Sequence, residues 1–321
     1  MKRFVANAVA GIVLFAAATV QAQEKFPSRP IRIVVPSAAG GLADIATRMV
    51  AQKMGEKLGQ PVVVENRPGA DTMLGTRYVR SVAADGYTLL TASGTLVSQL
   101  VVKQDPGYDL KDFAGIGPLV RSPWVMLTGP SQPDKNLSDF IARAKAHPAD
   151  MSFASNGVGT APYMAEQMFL QRAGLNLLHI PYKGIATAMP DVISGRVTMI
   201  FDAISSSAGY VRSGQLRALG VTSANRLPIF PNVPTIAEQG MPGFRSYVTI
   251  GLVARAETPK EIVSKLAAVL QSALASKEVR EFYEANGAES ISASPDEFTE
   301  MLKRDHVEFG KLAAQLGIQK Q

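Results

Sequence analysis

The chain alternates short apolar runs with longer segments whose apolar positions recur at helical spacing. Residues 31–36 (IRIVVP) predict a buried strand, and 37–41 (SAAGG) a turn. Residues 44–58 predict a helix with Ile45, Met49, Val50, Met54 and Leu58 near one face and Gly59 as its stop. A second strand falls at 62–64 and is followed by the turn sequence Asn66-Arg67-Pro68-Gly69. A helix then runs to about Ala83, and Asp85-Gly86 turns the chain into a strand at 87–92. The pattern resumes after about Pro123, with a strand at 124–128, a helix at 137–146, a strand at 152–155 and a helix at 160–172. Further strands are expected at 177–180, 197–202 and 216–221. Pro228, Pro231 and Pro234 mark a long surface connection, 247–254 reads as another strand, and from Pro259 onward the pattern is helical.

Strand and helix in alternation imply right-handed crossovers and parallel pairing, so the fold class is α/β. About nine strands in 321 residues suit two sheets better than one. The expected architecture is two lobes, each a mainly parallel sheet flanked by helices. The closing helices are expected to return to the first lobe, which makes the second an insertion with two crossings between them. Lobe 1 is then 23–122 with 248–321, and lobe 2 is 123–247. Two crossings of this kind make a hinge.

Residues 1–22 carry a different pattern. Lys2 and Arg3 precede an apolar run through Val20, and Ala22 closes the segment. A basic start, a short apolar stretch and small residues at the end describe a secretory signal cut after Ala22. The alternative is an uncleaved anchor, but the run is short for a membrane span and is broken by Asn7. The expected location is the periplasm.

Composition narrows the function. The formal charge is +6, or +4 once Lys2 and Arg3 leave with the signal. The basic residues are scattered, and aromatics are 7% with a single tryptophan, Trp124, so no nucleic-acid footprint is present. The absence of cysteine excludes disulfides, thiolate metal sites, a cysteine nucleophile and a lipid anchor on cysteine.

Two turns with glycines stand between a strand and a helix. The first is Ala39-Gly40-Gly41-Leu42-Ala43-Asp44. Glycine lets the backbone approach a ligand, and the helix start offers free N–H groups to an anion. The second reading is a plain helix start with Asp44 as N-cap. The other turn, Ser155-Asn156-Gly157-Val158-Gly159-Thr160, has the same placement. It lacks the full spacing and the acidic residue of a dinucleotide fingerprint. Facing each other, the two turns would supply two anion sites and suit a ligand with a carboxylate or other anionic group at each end. Asp202 ends a strand, where its carboxylate could take a hydrogen bond from a ligand or cap the next helix. An enzyme reading, a hydrolase using Asp202 as base, finds no Gly-x-Ser-x-Gly and no His-Glu-x-x-His to support it. His147, His179 and His306 lack metal-ligand spacing, and neither a metal nor a cofactor is expected.

With these motifs in order, the chain resembles the Bug, or TctC, family, the receptors of tripartite tricarboxylate transporters. The likeness runs from about Phe26 to about Ile318. It is carried by Phe26-Pro27-Ser28 with Pro30-Ile31, by Val35-Pro36 with Gly40-Gly41 and Asp44, and by Val62-Val63-Val64-Glu65-Asn66-Arg67-Pro68-Gly69-Ala70. It continues at Asp85-Gly86-Tyr87-Thr88-Leu89-Leu90, Gly157-Val158-Gly159-Thr160 and Ile180-Pro181-Tyr182-Lys183-Gly184. Pro231-Asn232-Val233-Pro234-Thr235 with Glu238, and Thr258-Pro259, complete it. The resemblance implies a Venus-flytrap fold in which a small carboxylate is held between the lobes and delivered to membrane permease subunits. It implies Ala39, Gly40, Gly41 and Asp44 on one side, and Asn156, Gly157, Gly159 and Thr160 on the other, with Asp202 nearby. Ser93 and Thr95 would line the far end. The protein is expected to act as a monomer.

There are departures. Ser37 stands where the family often has an aromatic residue, Tyr163 where it often has histidine, and Tyr247 where it often has tryptophan. Ile185-Ala186-Thr187-Ala188 replaces a glycine-rich stretch. These positions reshape the pocket wall and leave aliphatic and aromatic carboxylates both open. A receptor that feeds a sensor kinase is the other binding role open to such a chain.

Overall fold

The computed structural model describes residues 26–182 and 184–320. The expected export segment lies outside them. The described residues form nine strands and ten α-helices. In chain order the first half holds β1 (Ile31–Val35), α1 (Leu42–Leu58), β2 (Val62–Asn66), α2 (Met73–Ser81), β3 (Thr88–Ser93) and α3 (Gly94–Val102). The long strand β4 (Phe113–Thr128) follows, then α4 (Leu137–Ala146), β5 (Ser152–Ser155), α5 (Ala161–Ala173), β6 (Leu178–Pro181) and α6 (Ile185–Ile193). The rest is β7 (Met199–Ala203), α7 (Ile204–Arg212), β8 (Arg217–Val221), β9 (Tyr247–Arg255), α8 (Lys260–Leu274), α9 (Lys277–Ala285) and α10 (Pro295–Gln315).

The strand order is β2-β1-β3-β9-β4-β7-β5-β6, with β8 beside β4. Parallel pairing holds within β2-β1-β3 and within β6-β5-β7, as the strand–helix alternation predicts. Around β4 and β9 the pairing is antiparallel, so each half of the fold carries a mixed sheet. Strand β4 serves both halves. Its residues from Phe113 to Pro123 pair with β9, and those from Trp124 to Thr128 pair with β7 and β8.

Side chains from both halves fill a shared core. Ile33 and Val50 of the first belong to one apolar cluster with Phe153 and Phe169 of the second. Each half also keeps a core of its own, around Val34, Leu90 and Phe298 in one and around Val125, Ile200 and Ile204 in the other. Burying such side chains stabilises by roughly 1.5–3 kcal/mol each. The two separate sheets expected from the strand count are instead joined through β4 into one nine-stranded order. The helical pattern expected after Pro259 is three helices, α8, α9 and α10. The break between α9 and α10 brings Glu289 against Arg121, with a backbone bridge and an ion pair between them.

Candidate functional site

Parallel strands put their carboxyl ends at one edge, and every helix that follows starts there. In the first half the helices after β1, β2 and β3 begin at one such edge; in the second half those after β5, β6 and β7 do the same. The two edges meet. Thr95 Oγ1 accepts a hydrogen bond from the Ala161 amide at 3.3 Å, and Ser98 Oγ donates to the Gly159 carbonyl. The starts of α3 and α5, each a partial positive charge, therefore face one another where the two edges meet. An anion fits that field without a buried cationic side chain.

The first turn is braced by a polar network. Asp44 accepts from the Gly40 amide at 3.0 Å, from Arg48 Nε at 2.9 Å and from Asn66 Nδ2 at 2.9 Å. Asn66 also donates to the Ser37 carbonyl at 3.1 Å and accepts from Arg48 Nη2 at 2.7 Å. Burial pushes the Asp44 carboxyl upward, but the hydrogen bonds from Arg48, Gly40 and Asn66 outweigh it and hold it below its ordinary value. An ionised, fully engaged carboxylate is a brace for the turn, and it would repel an anion at contact. The N-cap of α1 is Gly41, with Asp44 inside the first turn, so the capping alternative is corrected by three residues. Ala39, Gly40 and Gly41 are exposed at the edge. Among the described residues the amides of Leu42 and Ala43 have no backbone or side-chain acceptor.

The second turn is tied down from within. Ser155 Oγ accepts from the Gly157 amide at 3.1 Å, Thr160 Oγ1 donates to the Gly157 carbonyl at 2.8 Å, and His179 Nε2 meets Ser155 Oγ at 2.7 Å. The amides of Val158 and Gly159 have no acceptor among the described residues. Tyr163 packs with Phe153 and His179 in an aromatic trio behind this turn, and burial pushes its hydroxyl up. Burial lowers His179 to about 4, so it is neutral near pH 7 and a weak base. Ser155 is fully buried, and its Oγ is engaged by both His179 and the Gly157 amide, so the Ser–His pair supports the turn.

The structure also places the remaining predicted residues at these edges. Ser93 caps α3, accepting from the Thr95 amide at 3.3 Å. Thr95 holds the start of α5 across the cleft. Asn156 follows β5, and its Oδ1 is buried with no partner among the described residues. Asp202 lies one residue before the N-cap of α7 and accepts from Ser206 Oγ at 2.7 Å. Sequence reasoning missed Gln99 and Ser205, whose buried polar atoms are also unpartnered among the described residues. It missed Glu166 as well, a fully buried carboxyl that accepts from the Phe201 amide at 2.7 Å. Nothing local marks these residues, because their position depends on which strands become neighbours.

Burial pushes Asp202 up to about 6, and burial with the nearby Asp202 charge pushes Glu166 well up. The raised Asp202 carboxyl makes the folded state hold a proton that the unfolded chain has lost, so its contribution is lost as pH rises from about 4 to about 6. Asp202→Asn should therefore stabilise the protein at pH 7, by up to about 3 kcal/mol, and change little at pH 4. Urea unfolding at the two pH values checks this. A variant less stable than the parent at pH 7 would contradict it.

Among the described residues no group of three or more His, Asp or Glu side chains is placed to hold a metal ion, and no helix is long and apolar enough to cross a membrane.

A two-lobed α/β binding-protein fold with an anion-favouring cleft between strand ends is the class these features define. The sequence model of the TctC family, the tripartite tricarboxylate transporter family receptors, matches residues 46–318, and the chain belongs to that family. The solved periplasmic binding protein BugD is 33% identical, with a TM-score of 0.85 over 92% of this chain and all of that one. MatC from Rhodopseudomonas palustris with bound malate is 28% identical, with a TM-score of 0.82 over 89% of this chain and 99% of that one. Rpa4515 of R. palustris with adipate is 29% identical, with a TM-score of 0.86 over 92% of this chain and all of that one. These neighbours are solute-binding proteins rather than enzymes, and the chain is a solute-binding receptor of the same family.

Proposed function

We propose that this receptor captures a small carboxylate in the cleft and presents it, in the periplasm, to the permease subunits of a tripartite tricarboxylate transporter. The observation that supports the reading is the meeting of two strand-end edges at α3 and α5, with the amides of Leu42, Ala43, Val158 and Gly159 free of acceptors among the described residues. Malate in MatC and adipate in Rpa4515 support a carboxylate of this size. The ligand sits between Ala39, Gly40 and Gly41 on one side and Asn156, Gly157, Gly159 and Thr160 on the other. Ser93, Thr95, Tyr163 and Asp202 shape and close the space, and Asp44 holds the first turn.

The lobes divide as 23–122 with 248–321, and 123–247, with the hinge where β4 changes partners at Pro123 and Trp124 and where β9 begins. Ligand binding favours the closed arrangement, and the closed arrangement is what the membrane partner reads. Residues 1–22 act as the export signal, and the receptor works as a monomer without a cofactor.

Thermal unfolding of refolded protein against mono-, di-, tri- and aromatic carboxylates tests this. A ligand at about 100 times its dissociation constant adds about 2.7 kcal/mol. At roughly 2–4 °C per kcal/mol, that is a shift of several degrees. A selective shift by one carboxylate class is expected. A flat panel from folded protein, or turnover of the compound, would overturn the proposal.

A further inference from the structure

Helix α3 turns one face toward the second half of the fold. Thr95 takes the Ala161 amide, Ser98 donates to the Gly159 carbonyl, and Val102 lies where a side chain on Gly159 would have to go. Gln99 stands one turn after Thr95 and three residues before Val102, so it shares that face. Gln99 is 0% exposed, and neither its Oε1 nor its Nε2 has a hydrogen-bond partner among the described residues. Asn156, on the turn that α3 receives, has a buried Oδ1 in the same condition. A buried amide with both ends unpaired destabilises the fold, so it points to a group that arrives from outside.

The chemistry of that group follows from the amide itself. Whichever way the Gln99 amide lies, it offers one donor and one acceptor side by side. A plain carboxylate has acceptors only, and would leave the glutamine oxygen unpaired. A carboxylate with a hydroxyl or amine on the neighbouring carbon presents an acceptor and a donor together, and satisfies both ends.

We propose that Gln99 is a specificity-determining residue that reads a hydrogen-bond donor beside the ligand's carboxylate, so that this receptor selects hydroxy- or amino-substituted acids over their unsubstituted counterparts. The proposal rests on the carboxylate reading above and narrows it to a ligand class.

Titration calorimetry with matched sets tests it: propionate, lactate and alanine; succinate, malate and aspartate; phenylacetate, mandelate and phenylglycine. Within at least one set, a substituted acid should bind roughly 10- to 100-fold more tightly than the plain one. Which substituted acid binds distinguishes hydroxyl from amine. Gln99→Met should erase the ratio by weakening only the substituted acid. Because no partner is lost, the unliganded variant should melt no lower than the parent; Gln99→Leu serves if methionine fails to fold. Equal affinities within every set that binds, a ratio that survives in the variant, or a variant melting several degrees lower would each overturn the proposal. Binding only of plain acids, from these sets or from the wider carboxylate panel, would overturn this proposal and leave the carboxylate reading standing; binding of no carboxylate in either would overturn both.

Discussion

Gly41→Val should lose at least about 100-fold in carboxylate affinity while the protein stays folded, because its side chain would stand over the start of α1, where the anion is proposed to sit. The position tolerates a side chain in the free protein. Gly41 has φ −80° and ψ 168°, and an added Cβ meets only the Ala38 carbonyl, at 4.0 Å. Valine is a poorer N-cap than glycine, so a loss of about 1 kcal/mol is expected. That corresponds to about 2–4 °C in melting temperature. Calorimetric titration beside a melting curve separates the two effects. Normal affinity in a folded variant would remove the first turn from the site.

Gly159→Ala should act the other way round, through the fold first. Gly159 has φ +78°, and an added Cβ would lie 2.4 Å from one methyl of Val102 and 3.0 Å from the other. Alanine in this left-handed conformation costs about 1 kcal/mol before any clash. A β-branched side chain cannot swing away, so α3 must lift off the turn, taking the Ser98 and Thr95 contacts with it. A loss of about 2–4 kcal/mol in unfolding free energy is expected, together with weak binding. Adding Val102→Ala should recover part of the stability, since it removes the atoms in conflict. Strict additivity of the two substitutions would mean that the turn and α3 are not in contact.

The pattern along the chain reveals most of the nine strands and both glycine turns, because each depends on local periodicity and turn chemistry. The first part of β4 stays hidden. Gly115, Gly117, Pro118 and Pro123 look like strand breakers. In the fold they are accommodated by two register shifts against β9, and α10 lies so close that a Cβ on Gly115 would be 2.7 Å from the Pro295 carbonyl. A glycine there marks close approach rather than an interruption. Helix α3 is hidden for a related reason: its run of Thr95, Leu96 and Val97 before Leu100, Val101 and Val102 is apolar and rich in β-branched Thr and Val, and packing against α10 decides its state.

The candidate site divides in the same way. Gly40, Gly41, Gly157 and Gly159 announce themselves by residue type. The roles of Thr95 and Ser98 depend on pairing with a turn about sixty residues away, and the burial of Gln99 beside them follows from the same packing, which no local pattern carries. Asp44 shows the limit of residue type alone. A carboxylate beside two glycines reads equally as ligand contact or cap, and only the meeting with Arg48 and Asn66 shows that it braces the turn.

The most direct test is a crystal structure with the carboxylate that gives the largest thermal shift. The account predicts a carboxylate group between the two edges, with its oxygens about 2.7–3.2 Å from the amides of Leu42 or Ala43, or of Val158 or Gly159. A ligand bound with comparable affinity anywhere outside this cleft would contradict it.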